Sequence, residues 1–259
     1  MSYSNITYEV QSHVAIISLN RPERLNAITP AMCIELQDSL GRCLGDGARS
    51  LLLRAEGQSF CAGADLTDGS GGFPNDLGAL LRQHYNPLVC AFADLPIPVV
   101  TSIQGAAAGA GCSLALLGDI VVAARSAYLL LAFVNVGLVP DAGSTWLVAN
   151  AIGRARALQM MLLGDRIPAE QACDWGLINS VVDDVDLRPA GESLAQRLAA
   201  GPTIAQGLIR RSVAAAAHLS LDDVLALELE NQRRAGRTKD FQEGLAAFRE
   251  KRTPAFHGI

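Results

Sequence analysis

Three short segments of the 259-residue chain place chemistry-bearing groups at turns: 60–65 (FCAGAD), 103–113 (IQGAAAGAGCS) and 136–145 (VGLVPDAGST). The first two put small residues directly after apolar runs, where backbone N–H groups can point into a cleft. In the second, Gly109, Ala110 and Gly111 open straight into a helical stretch. The first N–H groups of a helix have no intrahelical partner and carry a partial positive charge. One N–H from each turn would make an oxyanion hole, a preorganised pair of donors for an oxygen that gains charge during reaction. Close packing of helix on strand asks for the same Gly and Ala, so residue type alone leaves both readings open. The third segment carries one carboxylate, Asp141, placed either to move a proton or to cap the helix predicted over 144–152.

Other chemistries fit less well. The dinucleotide fingerprint fails because the site after Gly109 and Gly111 is Leu114, and no GxxxxGK[ST] phosphate loop occurs. A nucleophile elbow is nearly formed at Gly111-Cys112-Ser113-Leu114-Ala115, but its last glycine is Ala115. With Asp141 and His218 or His257 following, a serine hydrolase built on Ser113 is a rival reading. The six cysteines form no CxxC pair and the four histidines no HxxxH pair, so neither a metal site nor a disulfide framework is expected. The cysteines read as reduced thiols, mostly small core residues.

These turns need elements to hold them. Residues 6–10 and 14–19 read as a hairpin, Thr29-Pro30 as a helix start, and 50–54 as a buried strand. A helix is predicted over 80–92, strands over 99–103, 119–124 and 128–131, and a short helix over 112–117. The Gly-rich stretch 67–78 is expected to be a mobile loop. Beyond Ala142 helical periods dominate, over 144–152, 154–163, 187–200, 203–216, 221–235 and 241–249, with one further strand over 177–182. Strands alternating with helices imply an α/β body, followed here by a helical tail.

Half the residues are hydrophobic (50%) but only 5% are aromatic, so the large core these numbers allow is built of small aliphatics. A net charge of −5 with no long basic run argues against nucleic acid as a partner. Residues 95–118 are uncharged and long enough for a membrane span, yet Pro96, Pro98, Gln104 and several glycines interrupt them. We read them as strand, turn and helix, with no membrane partner. The N-terminal MSYSNITYEV lacks an export pattern, and the protein is expected to be soluble and cytoplasmic.

Taken in order, the motifs resemble the crotonase superfamily, which contains the enoyl-CoA hydratases and isomerases. They are NRPERLNA (20–27), FCAGADL (60–66), PVVTSIQGAAAGAGCSLALLGDIVVAA (98–124), GLVPDAGST (137–145), LLGDRIPAEQACDWGLINSVV (162–182) and AFREKRTPAF (247–256). YNPLV (85–89) and LELENQRRAGRTKDFQEG (227–244) look most like a subgroup, the 2-(1,2-epoxy-1,2-dihydrophenyl)acetyl-CoA isomerases.

The resemblance implies an α/β fold in which strand–strand–helix turns form a right-handed spiral over 1–195. Residues 196–259 would be a helical region that covers the active site and builds homotrimers, often paired as hexamers. It implies an acyl-CoA thioester as substrate, with CoA part of that substrate and no separate cofactor or metal. The thioester oxygen would be held by the N–H groups of Ala64 and Ala110. Ala62, Asp65, Gly109, Gly111, Tyr85, Asn86 and Phe133 would border the substrate, and Arg24, Phe248 and Lys251 would contact CoA, the last two from a neighbouring subunit. For Tyr85 and Asn86 a plain helix surface is the other reading, as a surface cation is for Arg24 and Lys251. His84 is expected to be exposed. Thr67 stands where relatives often carry Lys, which weakens a phosphate clamp there.

The acid–base positions discriminate among family activities. Hydratases hold water between two glutamates, and those positions carry Ser113 and Phe133 here. Asp141 lies where isomerases and some dehalogenases carry their carboxylate, and buried beside Phe133 it should hold its proton to higher pH. The expectation is an isomerase that shifts a double bond or opens an aryl epoxide. The alternatives are an enoyl-CoA hydratase, the serine hydrolase above, or a non-catalytic CoA-binding subunit.

Overall fold

The computed structural model of the chain describes residues 3–65 and 76–259. It opens with an antiparallel hairpin of β1 (Ile6–Gln11) and β2 (Val14–Leu19). Ser12 and His13 turn it with φ of 49° and 63°, the left-handed pair that a two-residue hairpin requires. α1 (Pro30–Cys43) follows, with Thr29 Oγ1 accepting the Met32 N–H at 3.1 Å and proline in the first turn. After β3 (Ser50–Ala55), a helix runs from α2 (Leu77–Leu80) through a wide π turn (Leu81–Tyr85) into α3 (Asn86–Asp94). Pro87 has no N–H to donate to the preceding turn, and there the Asn86 N–H reaches back five residues to the Leu81 carbonyl.

The chain then forms β4 (Val99–Ile103), β5 (Ala106–Ala108), α4 (Ala110–Ala115), β6 (Ile120–Ala124) and β7 (Tyr128–Leu130). Next come α5 (Ser144–Leu163), β8 (Ile167–Pro168), α6 (Ala169–Asp174), β9 (Ser180–Val182) and α7 (Leu187–Ala199). α8 (Thr203–Ala216), α9 (Leu221–Ala235) and α10 (Lys239–Glu250) close the chain. One sheet has the order β1-β2-β3-β4-β6-β9 and is parallel from β2 onward; the other has the order β5-β7-β8. This is the α/β architecture expected. Every residue of β2 is buried, as suits a strand covered on both faces, whereas on β1 Thr7, Glu9 and Gln11 alternate outward.

Several elements differ from the sequence reading. β5 is built of three alanines, which carry no strand signature; it forms because Cys61 and Tyr128 pair with it from either side. β8 and α6 were not expected either, and the predicted 177–182 strand is confined to β9. Gly153 breaks the helical φ/ψ of α5 between the two helices predicted there. Of the predicted loop 67–78, residues 67–75 lie outside the described residues, and Gly78 belongs to α2. Residues 95–118 form β4, β5 and α4, and no helix among the described residues is long and apolar enough to cross a membrane.

The core carries small residues where segments meet most closely. Cys33, Cys43, Cys61 and Cys112 are buried and free. Gly111 lies against Cys61 so tightly that a Cβ there would sit 2.6 Å from its Cβ, carbonyl oxygen and sulfur. The terminal helices are tied to this body by Arg210, which reaches Asp119 at 2.7 Å and the Phe92 and Leu95 carbonyls at 2.6 Å. Arg49 reaches the Gly201 and Phe256 carbonyls from the other side. Gly111→Ala is expected to lower folding stability by about 1–3 kcal/mol, because Cys61 must give way; urea denaturation of the two proteins measures it.

Candidate active site

Residues 60–63 run beside 104–108. The Phe60 N–H donates to the Gln104 carbonyl at 2.7 Å, the Cys61 N–H to Ala106 at 2.9 Å, and the Ala108 N–H back to Cys61 at 2.9 Å. Where this pairing ends, the two backbones touch: a Cβ on Gly63 would lie 3.0 Å from the Ala108 carbonyl oxygen. Gly63 (φ 101°) and Gly109 (φ 52°) both adopt the left-handed region that glycine tolerates. The next residue on each strand turns its N–H away from the pairing. Among the described residues, no acceptor takes the N–H of Ala64 or of Ala110.

A second layer fixes the first turn. Arg21 pairs with Asp65 at 3.0 Å, the Ile28 N–H donates to Gly63 at 2.7 Å, and the Asp65 N–H donates to Ile28 at 2.9 Å. Buried Asn26 donates to the Glu56 and Ser59 carbonyls at 2.9 and 2.8 Å. Sequence reasoning missed these roles of Arg21 and Asn26. Both lie in the NRPERLNA motif, but the sequence by itself carries no signal that Asn26 is buried.

Ala64 and Ala110 face a cavity of about 180 Å³ that Ala62, Gly109, Tyr85, Phe133 and Asp141 also line. A larger groove of about 710 Å³ lies along Trp146 and Arg210. The smaller one is the candidate site, because it holds a carboxylate with a buried, unpartnered oxygen: Asp141 Oδ1 accepts no hydrogen bond. Burial pushes the Asp141 pKa up to about 6. Asp141 does not cap α5 with its side chain, since the N-cap position is Gly143 and has no side-chain cap. Its backbone carbonyl does the holding instead, accepting from the Ser144 N–H (3.0 Å), Ser144 Oγ (2.8 Å) and Ser113 Oγ (3.1 Å). Ala142 follows at φ 49°, an unfavourable value for a residue with a Cβ. The chain is therefore clamped at the carbonyl and the carboxylate left free.

The remaining predicted site residues are dispersed. Asp65 is engaged with Arg21, Gly111 is packed on Cys61, and Asn86 is exposed; none of the three lines the cavity. Arg24 stands exposed on the 3-10 turn Pro22–Arg24. Phe248 (83% exposed) and Lys251 project from the end of α10, away from the cavity of their own chain. Thr67 lies outside the described residues. His84, expected to be exposed, is half-buried, with a buried Nδ1 that has no partner. The serine-hydrolase reading loses its nucleophile: Ser113 is fully buried and its hydroxyl donates to the Asp141 carbonyl. His218 accepts from Trp146 Nε1 at 3.0 Å at an exposed site.

Residues 9–258 match the family described as enoyl-CoA hydratase/isomerase. The chain belongs to the enoyl-CoA hydratase/isomerase, or crotonase, family. It is 46% identical to the 1,2-epoxyphenylacetyl-CoA isomerase of Escherichia coli, over 98% of each chain. It is 43% identical, over 100% of each chain, to a Rhodobacter capsulatus protein named probable enoyl-CoA hydratase. The crystal structure of an enoyl-CoA hydratase from Bacillus anthracis superposes with a TM-score of 0.93 at 32% identity, covering 99% of this chain and 100% of that one. The protein is thus a crotonase-fold enzyme of a family that acts on CoA thioesters.

The buried carboxylate has a consequence for stability. An unfolded Asp titrates near 3.9, below the folded value, so the folded chain holds this proton more tightly. The Asp141 contribution is therefore most favourable below about pH 4 and is lost as pH rises through about 6. Asp141→Asn, which cannot ionise, is expected to gain stability relative to the parent between pH 4 and pH 8. Denaturation midpoints at the two pH values measure the change; a constant difference would mean that Asp141 ionises at no cost.

Proposed function

We propose that this enzyme is an acyl-CoA isomerase in which Asp141 carries a proton between two carbons of a CoA thioester. The supporting observation is one unpartnered, buried carboxylate in an apolar cavity lined also by Ala64 and Ala110, whose backbone N–H groups have no acceptor among the described residues. With a 3-enoyl-CoA, Asp141 takes the proton from the carbon next to the thioester. That C–H electron pair forms the new C2=C3 bond by way of an enolate whose charge rests on the thioester oxygen. Asp141 returns the proton at C4 as the old double bond is consumed, giving the 2-enoyl isomer. The N–H groups of Ala64 and Ala110 would hold the charged oxygen; because they are main chain, alanine side chains suit the position. An aryl epoxide thioester opening to an oxepin uses the same enolate and the same shuttle.

Hydration needs a second group to hold and activate water. The two positions that carry glutamate in hydratases are Ser113, committed to the Asp141 carbonyl, and Phe133, an apolar wall of the cavity. A carboxylate whose pKa is about 6 suits both halves of the reaction, since it can accept and return a proton near neutral pH.

Assaying crotonyl-CoA hydration beside isomerisation of 3-enoyl- and aryl-epoxide-CoA tests the reading. Isomerisation without comparable hydration is expected; hydration as the faster reaction would overturn it. Asp141→Asn should keep the fold and lower isomerase kcat by about 10²–10⁴-fold. In the parent, kcat/KM should fall as pH drops below about 6, where Asp141 becomes protonated.

We also infer self-association as a trimer or hexamer through the terminal helices, with Phe248 and Lys251 reaching a neighbour's CoA. Ile209 and Val213 of α8, Leu225 and Leu229 of α9, and Phe241 of α10 are all exposed, more apolar surface than a lone chain gains from presenting to water. The double variant Leu225→Glu, Leu229→Glu should sediment as a smaller species than the parent; an unchanged sedimentation coefficient would exclude α9 from the interface.

A further inference from the structure

The side chains around the cavity are nearly all hydrocarbon. Its described lining is made of alanine, glycine, leucine and valine residues together with Phe133, Tyr85 and Asp141. Among these, only Tyr85 and Asp141 carry a polar side-chain atom. Asp141 has the role of moving the proton, and as a carboxylate it accepts hydrogen bonds rather than donating them. Among the described lining residues, the one neutral side-chain donor is the Tyr85 phenol.

That phenol is only weakly engaged elsewhere. Tyr85 is 4% exposed, and the acceptor found for its hydroxyl is the Ile28 carbonyl at 3.5 Å, the outer limit of a hydrogen bond. The same carbonyl already accepts the Asp65 N–H at 2.9 Å. Burial, reinforced by the negative charge of Asp141 nearby, pushes the phenol's pKa upward, so it stays protonated. Its position follows from the π turn before Pro87, at the end of which Tyr85 faces the cavity while Asn86 faces water. A buried hydroxyl with a poor partner leaves a hydrogen bond for a ligand to complete.

We propose that Tyr85 determines substrate specificity by donating its phenolic hydrogen bond to an oxygen on the acyl group, so that the enzyme favours oxygen-bearing acyl thioesters, such as ethers or epoxides, over purely hydrocarbon ones. The proposal rests on the isomerase reading of this cavity and narrows its substrate class. Hydrocarbon chains would leave the phenol as poorly paired as it is now. An ether or epoxide oxygen near the reacting carbons would satisfy it, and a site built to hydrogen-bond a substrate oxygen discriminates against the analogue that lacks it.

The test compares the parent with Tyr85→Phe, which removes only the hydroxyl. Two unreactive probes, phenylacetyl-CoA and its 2-methoxy derivative, are titrated against both proteins at pH 8, where Asp141 is ionised; the methoxy oxygen accepts but cannot donate, so it pairs with Tyr85 and not with the Asp141 carboxylate. The Kd ratio of the two probes is expected to shift by about 10-fold toward phenylacetyl-CoA in Tyr85→Phe. The kcat/KM ratio of an aryl-epoxide-CoA to an aliphatic 3-enoyl-CoA should fall about 10–100-fold, whatever loss the two substrates share. Ratios that do not change between parent and variant would overturn the role of Tyr85, since a purely structural tyrosine moves both members of a pair alike. Absence of isomerisation by the parent would instead overturn the isomerase reading, and the binding ratio would still decide the hydroxyl's role.

Discussion

Two stretches of backbone approach each other more closely than side chains normally allow, and the rest of the site depends on that contact. Residues 60–63 and 104–108 exchange hydrogen bonds as neighbouring strands do, and then part at Gly63 and Gly109. Because both glycines are left-handed, the peptide that follows each one swings out of the pairing with its N–H unsatisfied. An N–H withheld from a protein acceptor is unfavourable where water does not reach it. It persists here because the surroundings leave the backbone no alternative: Gly111 is packed on Cys61, and Asp65 is tied to Arg21 and Ile28. The strain is local and its support is spread over the body.

The same division of labour governs the carboxylate. Asp141 is held by its carbonyl through Ser113 and Ser144, and the left-handed Ala142 after it turns the chain into α5. None of those bonds uses the side chain. The carboxylate therefore stays unpaired in an apolar cavity and keeps its proton to a pH near 6. Ser113 is held to that loop through its side chain. A glutamate there would extend a second carboxylate; a serine reaches only as far as the neighbouring carbonyl and stabilises the loop.

Much of the chain could be read in advance, and the exceptions have physical causes. The hairpin, the Thr29 cap, the buried β3 and β4 and the two halves of α5 follow from local patterns of polarity and capping. β5 does not, because three alanines have no strand preference of their own and pair only once Cys61 and Tyr128 are in place. The inward position of Tyr85 and the outward position of Asn86 depend on a helical turn widened beside Pro87, which a regular helical period does not anticipate. His84, expected to be exposed, lies in that same turn and is half-buried.

Residue types and spacing determined by themselves that small residues close two turns and that one carboxylate follows them; that Ser113 and Phe133 stand where hydratases carry their two glutamates is what the resemblance to the crotonase family implies. Local chemistry suffices for the two turns, since glycine tolerates a left-handed backbone at less cost than residues with a Cβ. Tertiary structure decided the rest: that Ala64 and Ala110 line one cavity, that the Asp141 side chain is free while its carbonyl is held, and that Tyr85 is the remaining side-chain donor among the described wall residues. Those facts depend on which groups are left unpaired after distant segments have packed, and pairing across the fold is not written in any single stretch of sequence.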